Sequence, residues 1–210
     1  MTQVTTYSPG VETPPIGDAA PPRHIGRRRQ FDDATAVRAA RDVFWERGYA
    51  STSLADLQAA TGLSRSSIYQ AYGSKQGLFD RAVGNYCNEI MWPIVEPMEA
   101  EGAGRNEVVA YFLELARYLR GPRAEASRGC LMANTAAELR VLDSATAHAV
   151  RRFQERVHAA FVHALGATDS LESSAAQAEI LTAAQAGLMM TARLDPIPAA
   201  KMAETVAAGL

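Results

Sequence analysis

The 210-residue chain has little of several things, and each shortage excludes a class of protein. No run of 18 apolar residues exists. The longest candidate, Ile180 to Ala192, contains Thr182, Gln185 and Thr191, so a membrane span is not expected. Two cysteines, Cys87 and Cys130, are too few for a disulfide framework, and the first 30 residues carry prolines where a secretory signal needs an apolar core. A cytoplasmic chain is the expectation. Aromatics are only 7%, while alanine recurs through the second half, which favours helices over sheets. The chain also lacks Gly-x-Gly-x-x-Gly, the P-loop, His-Glu-x-x-His and Gly-x-Ser-x-Gly. His148, His158 and His163 fall outside the i, i+4 spacing of a metal-ligating helix face. Neither an enzyme nor a metal or cofactor site is expected.

What is present is unevenly charged. Residues 1–22 hold Glu12 and Asp18 and no base, residues 23–81 hold ten bases against six acids, and residues 82–210 hold 11 against 15. A small basic module followed by a larger acidic one suggests an anionic partner for the first alone. Residues 1–30 read as a disordered, proline-rich tail ending in Arg27, Arg28 and Arg29, a basic arm suited to a DNA groove or backbone.

Four helices are predicted next. Val37, Ala40 and Phe44 share a face from Asp32 to the stop at Gly48. Ser53-Leu54-Ala55-Asp56 has the form of a capping box opening a short second helix that ends at Gly62. Ser64 caps a third, to about Ala71, and Ser74 caps a fourth carrying Leu78, Phe79 and Val83. Two short helices joined by a tight Gly-containing turn, behind a longer support helix, form a helix-turn-helix. Its third helix is rich in polar side chains and free of acids: Arg65, Ser66, Ser67, Tyr69 and Gln70 crowd one side. A major groove, walled by phosphates, favours short donors at the backbone and a long amide or guanidinium at base edges. Lys75 opens the next helix, where backbone amides and positive charge converge on an anion.

The stretches Gly48 to Leu57, Ala60 to Tyr69 and Tyr72 to Phe79 closely resemble the DNA-binding domain of TetR-family transcriptional regulators. The match covers the Arg-Gly-Tyr end of helix one, Thr52, the Gly-Leu-Ser turn, the Ile-Tyr pair and the Ser-Lys that opens helix four. The resemblance implies that Thr52, Ser64, Arg65, Ser66 and Ser67 meet the backbone or groove, that Tyr69 packs on the sugar-phosphate, that Gln70 reads a base and that Lys75 holds a phosphate. Ala71 departs from the histidine common at that position, so operator preference does not carry over.

The resulting expectation is an all-α protein: a tail (1–30), a helix-turn-helix DNA-binding domain (31–80) and a larger helical regulatory and dimerisation domain (81–210). In the last, Pro93 and Pro97 are expected to interrupt helix four. Helices are expected over Glu107–Arg120, Leu131–Leu142, Ser144–Leu165 and Ser170–Arg193, with a short one after Pro198. The resemblance implies a homodimer through the last two long helices, placing two recognition helices one DNA turn apart on a palindromic operator. It also implies an apolar cavity for an unidentified small-molecule inducer, with Trp92, Met98, Phe112, Leu115, Tyr118, Met132 and Phe153 as candidate lining. Cys130, at a helix start beside Arg128, reads either as a thiolate favoured by dipole and charge, hence an electrophile sensor, or as a small buried cap. The Gly-Cys-Leu run resembles the electrophile-sensing branch of the family. The implied function is a ligand- or thiol-responsive repressor of double-stranded operator DNA, without membrane contact. An activator of the same fold and a helical interaction module are the alternatives.

Overall fold

In the computed structural model, residues 32–167 and 171–210 are described, and they form helices with no strand among them. The tail and the arm Arg27, Arg28 and Arg29 lie outside the described residues. Helix α1 (Asp33–Arg47) starts where Asp32 accepts the backbone N–H of Ala34, and buries Val37, Ala40, Phe44 and Trp45. Helix α2 (Leu54–Thr61) is opened by the capping box: Ser53 and Asp56 each accept the other's backbone N–H. Gly62 then turns the chain at φ 69°, a left-handed value that costs a side-chain-bearing residue about 1–2 kcal/mol. Helix α3 (Arg65–Tyr72) and helix α4 (Lys75–Tyr86) are capped by Ser64 and Ser74. Phe44 of α1, Leu57 of α2, Ile68 of α3 and Leu78 and Phe79 of α4 close one core, with Phe44 and Phe79 edge to face at 4.9 Å. The smallness of α2 and α3 follows: each buries a single large side chain and needs the other helices to hold it.

The two prolines do not interrupt the fourth helix as expected. The chain runs on from α4 through one π turn, Cys87–Met91, into helix α5 (Trp92–Glu99). Trp92 N–H reaches back to the carbonyl of Cys87, so the ladder is already widened one residue before Pro93. That widening accommodates a ring that would otherwise collide with the carbonyl four residues back. Pro97 sits inside α5. The expected boundary at residue 80 thus falls within a continuous helix, and Asp32–Leu210 makes one compact unit.

Helix α6 (Arg105–Leu119), the single-turn α7 (Arg123–Ala126) and the short α8 (Leu131–Ala137) follow. The expected helix to Leu142 stops early: α8 gives way at Glu138 to a tight 3-10 turn, Leu139–Val141. Helix α9 (Ser144–Gly166), capped by Asp143, lies beside helix α10 (Leu171–Leu194). The last helix, α11 (Pro196–Ala208), is longer than expected. Asp195 caps it and Pro196 takes its first position, where no N–H is required, so it starts two residues before Pro198. It packs its alanine face on α6.

Candidate nucleic-acid interface and effector cavities

Helix α3 turns Ile68 inward and keeps its polar residues out. Ser64, Arg65, Ser66, Tyr69, Gln70 and Ala71 are exposed and Ser67 is half-buried. Ser64 Oγ accepts the N–H of Ser67 at 3.1 Å and lies 2.8 and 2.9 Å from the hydroxyls of Ser66 and Ser67. The guanidinium of Arg65 stands 5.7 Å from the Tyr69 ring. On its far side α3 is tied to α1, because Tyr72 donates to Asp33, which also accepts from Arg81 of α4. The result is a helix offering hydroxyls, an amide, a guanidinium and a phenol, and no carboxylate.

Two expected contacts are placed differently. Thr52 is buried, and its one hydroxyl hydrogen goes to the carbonyl of Gly48 at 2.6 Å, where it closes the α1–α2 turn instead of facing outward. Lys75 is half-buried and turned inward: its ammonium donates to the Tyr49 carbonyl at 2.6 Å and sits 4.3 Å from that ring. Burial pulls its pKa down, while the charges of Glu138 and Asp56 work to raise it. Two of its three N–H groups are left over from that bond.

The helical body grips this turn directly. Glu138 accepts the backbone N–H of Ala50 at 2.7 Å. Trp45 donates from its indole to the carbonyl of Gly129 at 3.1 Å, and Arg128 lies 3.9 Å from Asp42 and over the Trp45 ring. No periodicity or motif marks Glu138, and Gly129, the glycine of the Gly-Cys-Leu run, carries no sequence sign of its bond to Trp45; in the structure it is left-handed, at φ 64°.

Cys130 is almost fully buried, and its environment is not that of a reactive thiolate. Burial pushes the thiol up. The Tyr86 hydroxyl, donating at 3.3 Å, and the N–H groups of Ala133 and Met132 pull it down by less. Arg128, expected to favour the thiolate, points to Asp42 and Trp45 instead. The cavity reaching Cys130 has a volume of about 20 Å³, enough for about one water. Cys87 is buried too, and its thiol is pushed up to about 12 by burial.

The expected effector residues separate. Trp92, Met132 and Phe153 line a cleft of about 710 Å³ between α4–α5 and α9. Leu115 and Tyr118 line a different cavity, of about 310 Å³, where α1 meets α4, α5 and α6. Met98 and Phe112, both fully buried, line neither and are plain core. At the rim of the larger cleft Gln76 donates to Asp80 at 2.9 Å and to Thr146 at 2.7 Å, and Thr146 donates to Asp80 at 3.1 Å. This joins the first turns of α4 and α9.

A three-helix head with an exposed, acid-free second helix of the turn, joined to a cavity-bearing helical body, defines a DNA-binding transcriptional regulator. Residues 36–82 match the family described as bacterial regulatory proteins, tetR family. The chain is 35% identical over 141 residues to the uncharacterized HTH-type transcriptional regulator YezE of Bacillus subtilis (strain 168), spanning 67% of this chain and 72% of that one. It is 31% identical over 115 residues to the HTH-type transcriptional repressor ComR of Escherichia coli (strain K12), 54% of each. Among solved structures, a cysteine mutant of the TetR family transcriptional regulator CifR complexed with 26bp double-strand operator DNA is 27% identical with a TM-score of 0.66, covering 88% of this chain and 97% of that one. Reduced E. coli NemR shares the fold at 17% identity, with a TM-score of 0.70 over 84% and 94%. The chain belongs to the TetR family of transcriptional regulators.

Proposed function

We propose that this regulator is a repressor that binds a palindromic operator as a homodimer and releases it when a small molecule enters the regulatory half. The surface of α3 carries the reading. Gln70 is positioned for an adenine edge, Arg65 for a guanine or phosphate, Ser64, Ser66 and Ser67 for the backbone, and Tyr69 for packing on a sugar. Lys75, through its remaining N–H groups, and the arm Arg27, Arg28 and Arg29 add phosphate contacts. Thr52 contributes by bracing the turn.

Dimerisation through α9 and α10 is supported by apolar side chains that α10 leaves uncovered, Ile180 and Met190 among them. The cleft of about 710 Å³ suits a small-molecule effector. Its rim, Gln76–Asp80–Thr146, adjoins Lys75 at the corner between α3 and α4, so an occupant that parts Asp80 from Thr146 biases the position of α3.

Fluorescence anisotropy on the DNA upstream of the gene tests this. Tight binding that weakens steeply between about 50 and about 200 mM salt is expected, together with a dimer by analytical ultracentrifugation. Equal affinity for unrelated fragments at the higher salt overturns operator recognition. A monomer at micromolar concentration overturns the dimer.

A further inference from the structure

The cavity of about 310 Å³ differs from the larger cleft in that one wall of it, Trp45, belongs to α1 of the DNA-binding head. Trp45 of α1, Tyr86 of α4 and Tyr118 of α6 form an aromatic side. Trp45 meets Tyr86 edge to face at 4.8 Å and lies nearly parallel to Tyr118, 10° apart, with centroids at 6.3 Å. Ile90, Ile94 and Leu115 supply aliphatic lining.

Every hydrogen-bond donor on the aromatic wall is already committed. The Trp45 indole donates to Gly129, the Tyr86 hydroxyl to Cys130 and the Tyr118 hydroxyl to the Glu125 carbonyl at 2.8 Å. The wall therefore presents ring faces and edges to an occupant. The two carboxylates at the rim are matched as well. Glu89 accepts from Arg38 at 2.9 Å and Arg41 at 3.1 Å, and Glu114 accepts from Arg117 at 2.8 Å. Each rim carboxylate already has an arginine partner, so an ionic ligand would have to displace one or lose hydration without compensation. A flat ring gains most here, because offset and edge-on aromatic contacts are both on offer. The volume lies at the lower end of small-molecule sites and suits two or three fused or linked rings.

We propose that this cavity is a second ligand site, separate from the α4–α9 cleft, for a neutral, flat aromatic molecule that touches Trp45 of the DNA-binding head directly. The site stands whether or not the larger cleft binds an effector. It rests on the cavity, its aromatic wall and the prior commitment of its donors and carboxylates, not on operator binding.

The neutral three-ring dye N-phenyl-1-naphthylamine, excited directly and titrated into the full chain, is the test. Saturable emission gain with one dye per chain is expected. Ile94→Trp, which fills this cavity, should weaken binding about tenfold or more, and Ala149→Trp, which fills the other cleft, should change it by less than about twofold. A charged analogue, 1-anilinonaphthalene-8-sulfonate, should bind more weakly than the neutral dye. The chain has two tryptophans, one per cavity, which gives a readout free of the filling variants. In Trp92→Phe the emission maximum of Trp45 should shift on dye binding, whereas in Trp45→Phe that of Trp92 should stay. The proposal is overturned by no saturable binding, by loss of binding in Ala149→Trp with retention in Ile94→Trp, or by a shift confined to Trp92.

Discussion

Glu138, at the end of α8, accepts the backbone N–H of Ala50, 88 residues earlier, across the junction between helical body and DNA-binding head. The bond fixes the α1–α2 turn from outside the three-helix head. Its carboxylate also lies close to Gly48, where a Cβ would run into it. Glu138→Ala removes one charge-assisted hydrogen bond, and a loss of about 1 kcal/mol, or about 2–4 °C in Tm, is expected. Thermal melting by circular dichroism reads it; an unchanged Tm would show that the turn holds itself.

Gly129 and Gly62 form a matched pair for a second test. Both have left-handed φ, 64° and 69°. A Cβ on Gly62 meets nothing within 4 Å, but one on Gly129 would come within 2.5 Å of the Met189 carbonyl of α10. Gly62→Ala should therefore cost only the backbone strain of about 1–2 kcal/mol, and Gly129→Ala should cost measurably more. Equal urea midpoints for the two would mean that α10 yields to the intruding methyl.

On the DNA side, Gln70→Ala and Arg65→Ala should differ in kind. The first is expected to relax preference at one operator position by about 1–3 kcal/mol. If Arg65 holds a phosphate, its loss weakens all sequences alike and lowers the salt slope by about 1. Binding to a panel of single-base operator variants separates them, and superimposable profiles would remove Gln70 from base reading.

The thiols should be sluggish. With Cys130 buried behind a space of about 20 Å³ and both thiols held protonated, native protein at neutral pH should take up N-ethylmaleimide far more slowly than denatured protein, by intact mass. Fast native labelling of Cys130 that releases DNA, absent in Cys130→Ser, would restore the sensor reading.

Alkali supplies a further check. Cys87 stays protonated to about 12 in the folded chain, against an ordinary 9.0, so unfolding above pH 9 is favoured by ionisation of the freed thiol. The stabilising effect is fully present below 9 and is lost as pH rises toward 12. The drop in urea midpoint from about pH 8.5 to about pH 10.5 should be smaller in Cys87→Ala than in the parent chain. An identical drop in both would assign the alkaline loss to the other groups whose pKa values burial raises, Tyr86, Tyr111, Tyr118 and Cys130 among them.

The head was legible because its signals are local. Ser53, Ser64 and Ser74 cap what they are expected to cap, each through its own hydroxyl within three residues. Thr52 and Lys75 were harder, because whether a polar side chain faces out is decided by the backbone acceptors that packing brings within its reach, Gly48 for Thr52 and Tyr49 for Lys75. The body was legible in its helices and not in its cavities. Leu115 and Trp92 look alike in a helical pattern, yet they line different spaces, a matter of which helices cross and not of period. Cys130 shows the same limit: its helix-start position was readable, but the burial that outweighs the dipole comes from residues distant in sequence, Tyr86 among them.

The π turn gives the long helix a pivot with a known gain. From Lys75 to Cys87 the rod spans twelve residues, about 18 Å at 1.5 Å each, so every degree of bend at the turn carries the recognition corner by about 0.3 Å. Pro93 has no N–H with which to draw that turn back into a regular ladder. A bend of this rod would fall at a place set by a missing hydrogen, with α3 carried at the end of the longer arm.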